Sequence, residues 1–233
     1  MLQWLSEIAE LLDPTEKDLL SWLRGVVDFR YPLAMYRGGV SYFDSAVGTL
    51  VSYLKENDIY DQSLIVVTAP HGEILAHDKV PYHHLLITPD TIHVPLLMKI
   101  PSHLEHRRGA RLGGVIDLID VFPTIVEMKG LNNSLQVSGT SRWNEIRQGL
   151  DIPPHDSFAC GFHGLVDSVC RPPYLFSRQR SDGRAQTVQT LVGGAREILY
   201  DTESGDVYSA DPAAVVESLR ASLQAHVAET NLT

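Results

Sequence analysis

The stretch LIVVTAPHGE, residues 64–73, decides how the rest of the chain is read. Leu64 to Val67 are apolar and mostly β-branched, the composition of a short strand covered on both faces. They run into a polar turn that places His71 just past the carboxyl end of that strand, where open α/β sheets keep their ligands. The residue before the histidine is Pro70. It offers a metal no side-chain oxygen and only a backbone carbonyl.

Working upstream, Val40, Phe43, Val47, Leu50, Val51 and Leu54 mark one face of a helix, and ENDIYDQS (56–63) is the turn out of it. Two earlier helices are predicted. One carries Leu2, Leu5, Ile8, Leu11 and Leu12 at helical spacing; the other, DPTEKDLLSWLRGVV (13–27), has Asp13 as N-cap, Pro14 at the first helical position and Glu16 in reach for a capping box. Downstream, residues 73–92 show no clear period, and VPLLMKI (94–100) is the next strand. VIDLIDVFPTIVEMKG (115–130) follows as a helix, with Asp120 as its cap, Pro123 in its first turn and Gly130 at its end. Strand, helix and strand in this order predict an α/β layered domain with at least part of its sheet parallel.

The pattern changes near residue 150. PPYLFSRQRSDG (172–183), AQTVQTLVGG (185–194) and REILYDTESGDVY (196–208) are short strand-like runs between Gly, Ser and Asp turns, which predict an antiparallel meander. DPAAVVESLRASLQAHVAE (211–229) closes the chain as an amphipathic helix with Val215, Val216, Leu219, Leu223 and Val227 on its apolar face. The division expected is a layered α/β part over residues 1–150 and a small antiparallel subdomain over 151–233.

At 233 residues with a formal charge of −10, the chain can bury a sizeable core and lacks the basic face that nucleic acid or an anionic membrane requires. The basic run HLEHRRGAR (103–111) is the best local candidate for binding an anion, and its favoured reading is a solvated surface turn. No apolar run approaches a membrane span. The N-terminus MLQWLSEIAELL has no basic leader and carries Glu7 and Glu10, so with Met1 as the natural start the expected location is the cytoplasm. Cys160 and Cys170 form neither a CxxC pair nor a disulfide framework and are expected as buried or free thiols.

Five of the ten histidines, His71, His77, His83, His84 and His93, fall within residues 71–93. Histidine is both the neutral-pH acid/base and the commonest metal ligand, so this clustering is the sharpest chemical signal in the chain. No pair has HExxH spacing, and no cysteines lie nearby to complete a structural zinc site. His77 and His93 are expected as surface or turn residues, with His71 placed by the fold. GxSxG, P-loop and strand-linked GxGxxG motifs are all missing.

Four segments in order carry a family resemblance. YRGGVSYFDSAVGTLVSYLKENDIYDQSLIVVTAPHGE (36–73) resembles the helix, turn and strand that lead to the T-S-D-H-G-E motif of the sulfatases, members of the alkaline phosphatase superfamily. HVPLLMKIP (93–101) resembles their R-V-P-L-I-I-x-x-P strand, IDLIDVFPTIVEMKG (116–130) their D-L-x-P-T-L-L-x-x-x-G helix, and EILYDTESGD (197–206) their E-L-Y-D-L-x-x-D-P turn. The resemblance is to the C-terminal half of that family. It implies part of an α/β/α layered sheet followed by a small antiparallel C-terminal subdomain with a terminal helix. It also implies a divalent metal, usually calcium, and sulfuric ester hydrolysis.

Carried over by position, His71 matches the motif histidine of the metal site. His83 or His84, with Lys79 as the weaker alternative, falls where a later residue holds the sulfate group. The motif aspartate is replaced by Pro70, and the formylglycine nucleophile and paired aspartates of the family's N-terminal half have no counterpart in these residues. CRPPY (170–174) half-resembles the C-x-P-x-R signature of that nucleophile, but Tyr174 stands at the arginine position and the segment lies downstream of the histidine turn. It reads as a strand of the small subdomain.

The leading expectation is therefore a sulfatase-family chain, truncated or degenerate, that is inactive alone and binds calcium weakly at most. The alternatives are one half of a two-chain metal-dependent sulfatase or phosphatase, with a separately encoded N-terminal half or self-association supplying the rest, and a non-catalytic anion-binding module. A phosphonate hydrolase or headgroup transferase of the superfamily shares the same motifs.

Overall fold

A computed structural model describes residues 28, 30–75, 84, 86–131, 137–161, 166–180, 196–208 and 212–230. The two helices expected over residues 2–27 and the strand-like run at 185–194 lie outside the described residues.

The first element, α1 (Arg30–Glu56), is anchored at its start by Asp28, whose carboxylate accepts the Arg30 backbone N–H at 2.9 Å and pairs with the Arg30 guanidinium. It ends in a Schellman motif. Asp58 takes the left-handed conformation (φ 57), its N–H donates to the Lys55 carbonyl, and the Ile59 N–H donates to the Leu54 carbonyl. The apolar stripe predicted for this helix forms. Val47, Val51 and Leu54 are half-buried, whereas Val40, Phe43 and Leu50 are exposed, as are Met35 and Tyr36 in the preceding turns.

β1 (Ile65–Thr68) and β2 (Leu96–Lys99) are neighbours, as their apolar runs predict, but they pair antiparallel, with Ile65 opposite Lys99 and Thr68 opposite Leu96. The expectation of a parallel pairing is not met here. A parallel return needs a crossover of about a dozen residues or more. The one helix described between these strands, α2 (Pro89–Ile92), has four residues. The long helix, α3 (Leu118–Met128), follows β2 instead. Lys99 ties the pair to the loop after α1: its ammonium donates to the Tyr60 and Ser63 carbonyls and sits 4.5 Å from the centre of the Tyr60 ring.

Asp117, rather than Asp120, occupies the N-cap position of α3. Asp120 lies inside the first turn and is buried, and Pro123 sits in the second turn. Gly130 does end the helix, with φ 63, donating to the Glu127 carbonyl while Leu131 donates to the Val126 carbonyl. A short helix, α4 (Trp143–Gln148), follows.

The last part is a four-stranded antiparallel meander in the order β3 (Ser157–Gly161), β4 (Val166–Arg171), β5 (Tyr174–Gln179) and β6 (Glu197–Asp201). Strand alternation sorts its side chains into two rows. Cys170, Leu175 and Tyr200 stand opposite one another in register and pack with Val166 against Ile87. Val169, Phe176 and Leu199 form the other row and pack beneath the terminal helix α5 (Ala213–Thr230), on Val216, Leu219 and Leu223. Val215 and Val227 complete the predicted apolar face at its edges. Both faces of β4 are thus covered, and the chain is mixed α/β. Among the described residues no helix is long and apolar enough to cross a membrane.

Candidate functional site

The turn after β1 is held from behind. The Gly72 N–H donates to the Thr91 carbonyl at 2.8 Å, and a Cβ on Gly72 would lie 1.9 Å from the Asp90 carbonyl oxygen, so only glycine fits. Thr91 is itself fixed: its hydroxyl accepts the Thr88 N–H at 2.9 Å and donates to the Leu86 carbonyl at 2.8 Å. Two residues past Gly72, Ile74 is buried. This backing presents His71 outward, exposed, with Glu73 half-buried beside it.

His84 folds back onto the turn. Its ring stacks on that of His71 at 4.0 Å between centroids and 21° between planes, and its Nδ1 lies 3.3 Å from Glu73 Oε2. One donor atom from each of His71, Glu73 and His84 falls within 4.8 Å of the others. The His71 Nδ1 lies 2.9 Å from the Gly72 carbonyl oxygen, which can only accept. Nδ1 therefore carries the proton, and the lone pair of the neutral ring is on Nε2.

Of the residues the sequence singles out, His71 and His84 are thus brought together. His83, Lys79 and His77 lie outside the described residues. His93 is an exposed residue at the end of α2, its backbone N–H closing that helix on the Pro89 carbonyl at 2.9 Å. Glu73 was not singled out by sequence reasoning. The only signal for it was its place in the T-S-D-H-G-E-like turn.

A second constellation also went unread. Asp117 Oδ1 accepts the Ser157 hydroxyl, and Asp117 Oδ2 lies 3.2 Å from His155 Nε2. Asp120 accepts the Thr140 N–H at 2.7 Å and Arg142 Nε at 2.8 Å, and Arg142 Nη2 lies 3.4 Å from His155 Nε2. Asp117, Asp120 and His155 could hold a cation by spacing alone. Here a guanidinium already neutralises the buried carboxylate, so the group reads as a clamp joining α3 to residues 140–157.

The cysteines are free thiols, Cys160 exposed and Cys170 buried. Burial, helped by Asp117 and Asp156, pushes the Cys170 thiol up to about 11. CRPPY, read as a strand, is instead the tip of the β4–β5 hairpin: Cys170 and Arg171 end β4, Pro172 and Pro173 make the turn, and Tyr174 opens β5 opposite Arg171. Cys170 belongs to the core of that sheet.

The chain therefore brings together groups able to hold a metal ion, but not those calcium prefers. Calcium takes six to eight oxygen ligands, largely from carboxylates. Two imidazoles, one carboxylate and the backbone of Pro70 do not supply that set.

Comparison with known proteins gives a consistent picture. The sequence model of the sulfatase family, described as "Sulfatase", matches residues 13–131, just over half of the chain. Mouse (Mus musculus) arylsulfatase K is 25% identical over 168 residues, covering 72% of this chain and 28% of that protein. The multifunctional alkaline phosphatase superfamily protein PehA of Trinickia caryophylli is 33% identical over 107 residues, 44% of this chain and 20% of that protein. The chain thus spans about a quarter of the length of the curated relatives it matches. Among solved structures, a Bacteroides thetaiotaomicron sulfatase crystal structure superposes with a TM-score of 0.67 at 17% identity, covering 87% of this chain and 44% of that one. A 2-O GAG sulfatase gives 0.63 at the same identity and coverage. These two likenesses show the fold. With more than half of its residues matched by the family's sequence model, the chain belongs to the sulfatase family.

Proposed function

We propose that these residues form the C-terminal part of a sulfatase-type ester hydrolase and that the chain by itself cleaves no sulfate ester. The observation that carries this reading is Pro70, set immediately before a histidine that the fold still presents outward. Family chemistry needs an activated nucleophile and a metal to neutralise both it and the sulfate oxygens. No residue here supplies the first. Cys170, the one cysteine in a partly matching context, is packed in the core with its thiol pushed up to about 11. His71 and His84 can polarise a bound anion, but polarisation without a nucleophile yields binding rather than turnover. The test is release of p-nitrophenol from its sulfate and phosphate esters, with calcium, magnesium or manganese supplied. The expected rate is that of the no-enzyme control. Release above it that is abolished by His71→Ala overturns the reading.

A second reading is favoured by α1. Met35, Val40, Phe43 and Leu50 are exposed on that helix, an apolar surface of the kind that drives association. In this reading the chain is one part of an active assembly whose N-terminal half covers α1 and brings nucleophile and aspartates, with self-association as its substitute in isolation. Sedimentation of the purified chain as a clean monomer, with little hydrophobic-dye binding, counts against it.

A further inference from the structure

We propose that His71, Glu73 and His84 form a site for a zinc-class divalent transition ion, in place of the oxygen-bound ion implied by the family resemblance. Binding here is separate from turnover, so the chain can hold zinc and hydrolyse nothing.

Ligand type comes first. Two imidazoles and one carboxylate are a donor set found around catalytic zinc, with a fourth position left open for water or an anion. Nitrogen-rich sites of this kind suit zinc, copper or nickel, whereas carboxylate and carbonyl oxygens suit calcium and magnesium. Pro70 removes a carboxylate that a hard ion would need and takes nothing from the nitrogen donors.

Geometry comes second. Zinc bonds of about 2.0–2.1 Å at a tetrahedral angle set neighbouring ligand atoms roughly 3.4 Å apart. His84 Nδ1 and Glu73 Oε2 are 3.3 Å apart, so an ion between them replaces the proton they share. His71 already has the tautomer a metal requires. Its Nδ1–H donates to the Gly72 carbonyl at 2.9 Å, which leaves the Nε2 lone pair outward, and such outer hydrogen bonds orient metal-binding histidines. The two rings are stacked, so one must swing to bring both lone pairs onto a single ion. Both histidines are exposed, which leaves room for that swing.

Competition comes third. Among the described residues, Glu73 pairs with no lysine or arginine; its partner is the His84 ring, whose Nδ1 lies 3.3 Å from Oε2. The other candidate cluster differs on this point. There Arg142 sits 2.8 Å from Asp120 Oδ2, Thr140 donates to Asp120 Oδ1 and Ser157 to Asp117 Oδ1, so a guanidinium holds the cation position. Among the described residues, the His71 cluster has ligands and no lysine or arginine in the cation position.

The experiment titrates zinc alone into the full chain, made without a histidine tag, at neutral pH. Calorimetry or competition with a chromophoric chelator reads the affinity. One site of micromolar or tighter dissociation constant is expected, undisturbed by millimolar calcium. His71→Ala, Glu73→Gln and His84→Ala should each weaken it by at least about tenfold, while His155→Ala should leave it unchanged. All four positions are exposed or partly exposed, and circular dichroism checks that each variant is folded. Cobalt in place of zinc should give the visible bands of a four-coordinate site, lost in His84→Ala. Equal zinc affinity in wild type and the three site variants would mean adventitious binding to other histidines and would overturn the proposal. So would displacement of zinc by an equal concentration of calcium.

Discussion

Replacing Asp120 by alanine tests whether the clamp between α3 and residues 140–157 carries much of the fold's stability. The Asp120 side chain is 3% exposed and that of Arg142 11%. Removing the carboxylate therefore leaves a nearly buried guanidinium without its counter-charge and the Thr140 amide without its acceptor. Breaking one side of a buried ion pair costs about 3–5 kcal/mol. In a chain of this size that lowers the melting temperature by roughly 6–20 °C, at about 2–4 °C per kcal/mol. Asp120→Asn should cost less, because its carbonyl oxygen can still accept the Thr140 amide while its NH₂ faces Arg142. Removing the cation as well, in Asp120→Asn/Arg142→Met, should recover part of the loss and give a coupling energy above about 1 kcal/mol. The backbone tether survives in every variant, since the Arg142 N–H donates to the Thr124 hydroxyl at 2.9 Å. Urea denaturation followed by circular dichroism reads wild type, Asp120→Ala, Asp120→Asn, Arg142→Met and the double variant. An Asp120→Ala loss within about 0.5 kcal/mol of zero, the level of an ordinary surface substitution, refutes the clamp, and so does strict additivity in the double variant.

Three further outcomes are expected. Calcium titrated into the purified chain should show nothing stronger than millimolar by calorimetry; a micromolar site lost in His71→Ala would mean that Pro70 is tolerated, and one retained there would place the ion elsewhere. In the native protein a thiol reagent should label exposed Cys160 and reach Cys170 only on unfolding, because burial both covers that thiol and pushes it up to about 11; two fast reactions would contradict the packing of β4. In acid, the Asp156–Arg171 pair should be lost: the Arg171 hydrogen bonds hold the carboxyl below its ordinary 3.8, so the stabilisation is complete above that pH and disappears as the pH falls through the lowered value. The stability gap between wild type and Asp156→Asn should therefore close below about pH 3.8, and a constant gap down to strong acid would rule the pair out as its source.

The parts legible in the sequence are those whose burial leaves a local pattern. Leu64 to Val67 and Val94 to Ile100 announce strands because both are short apolar runs rich in β-branched or bulky residues. Their relative direction was not legible, since it depends on what lies between them, and residues 73–92 carry no period. β5, β6 and α5 were legible through alternation and helical spacing. β3 and β4 were not, because SFACG and VDSVCR mix apolar residues with Ser157, Asp167 and Ser168. Those polar groups are tolerated through distant partners, as when Arg180 donates two hydrogen bonds of 2.7 Å to Asp167. Asp120 illustrates the same limit. An aspartate near a helix start looks like a cap, and nothing local reveals an arginine 22 residues on. At the site, His71 and His84 stood out by residue type, but Glu73 gains its meaning only when residue 84 folds back across an 11-residue separation.

Pro70 raises a physical question that the geometry answers. Losing a metal carboxylate would collapse a turn that depended on the metal for its shape. This turn does not. Gly72 is bonded to Thr91, Thr91 is bonded to Leu86 and Thr88, and Ile87, in the same short segment, is packed into the sheet core beside Val166, Cys170, Leu175 and Tyr200. The Ser177 hydroxyl adds a hydrogen bond of 3.0 Å to the Ile87 carbonyl. The frame that presents His71 is therefore supported by the four-stranded sheet, some hundred residues downstream, and none of these contacts involves the side chain of residue 70. A proline also fits a turn residue that must donate no backbone hydrogen bond. Site chemistry and site shape are separable here. The carboxylate could be exchanged without loosening the histidines, which is the condition for the same turn to serve a softer ion.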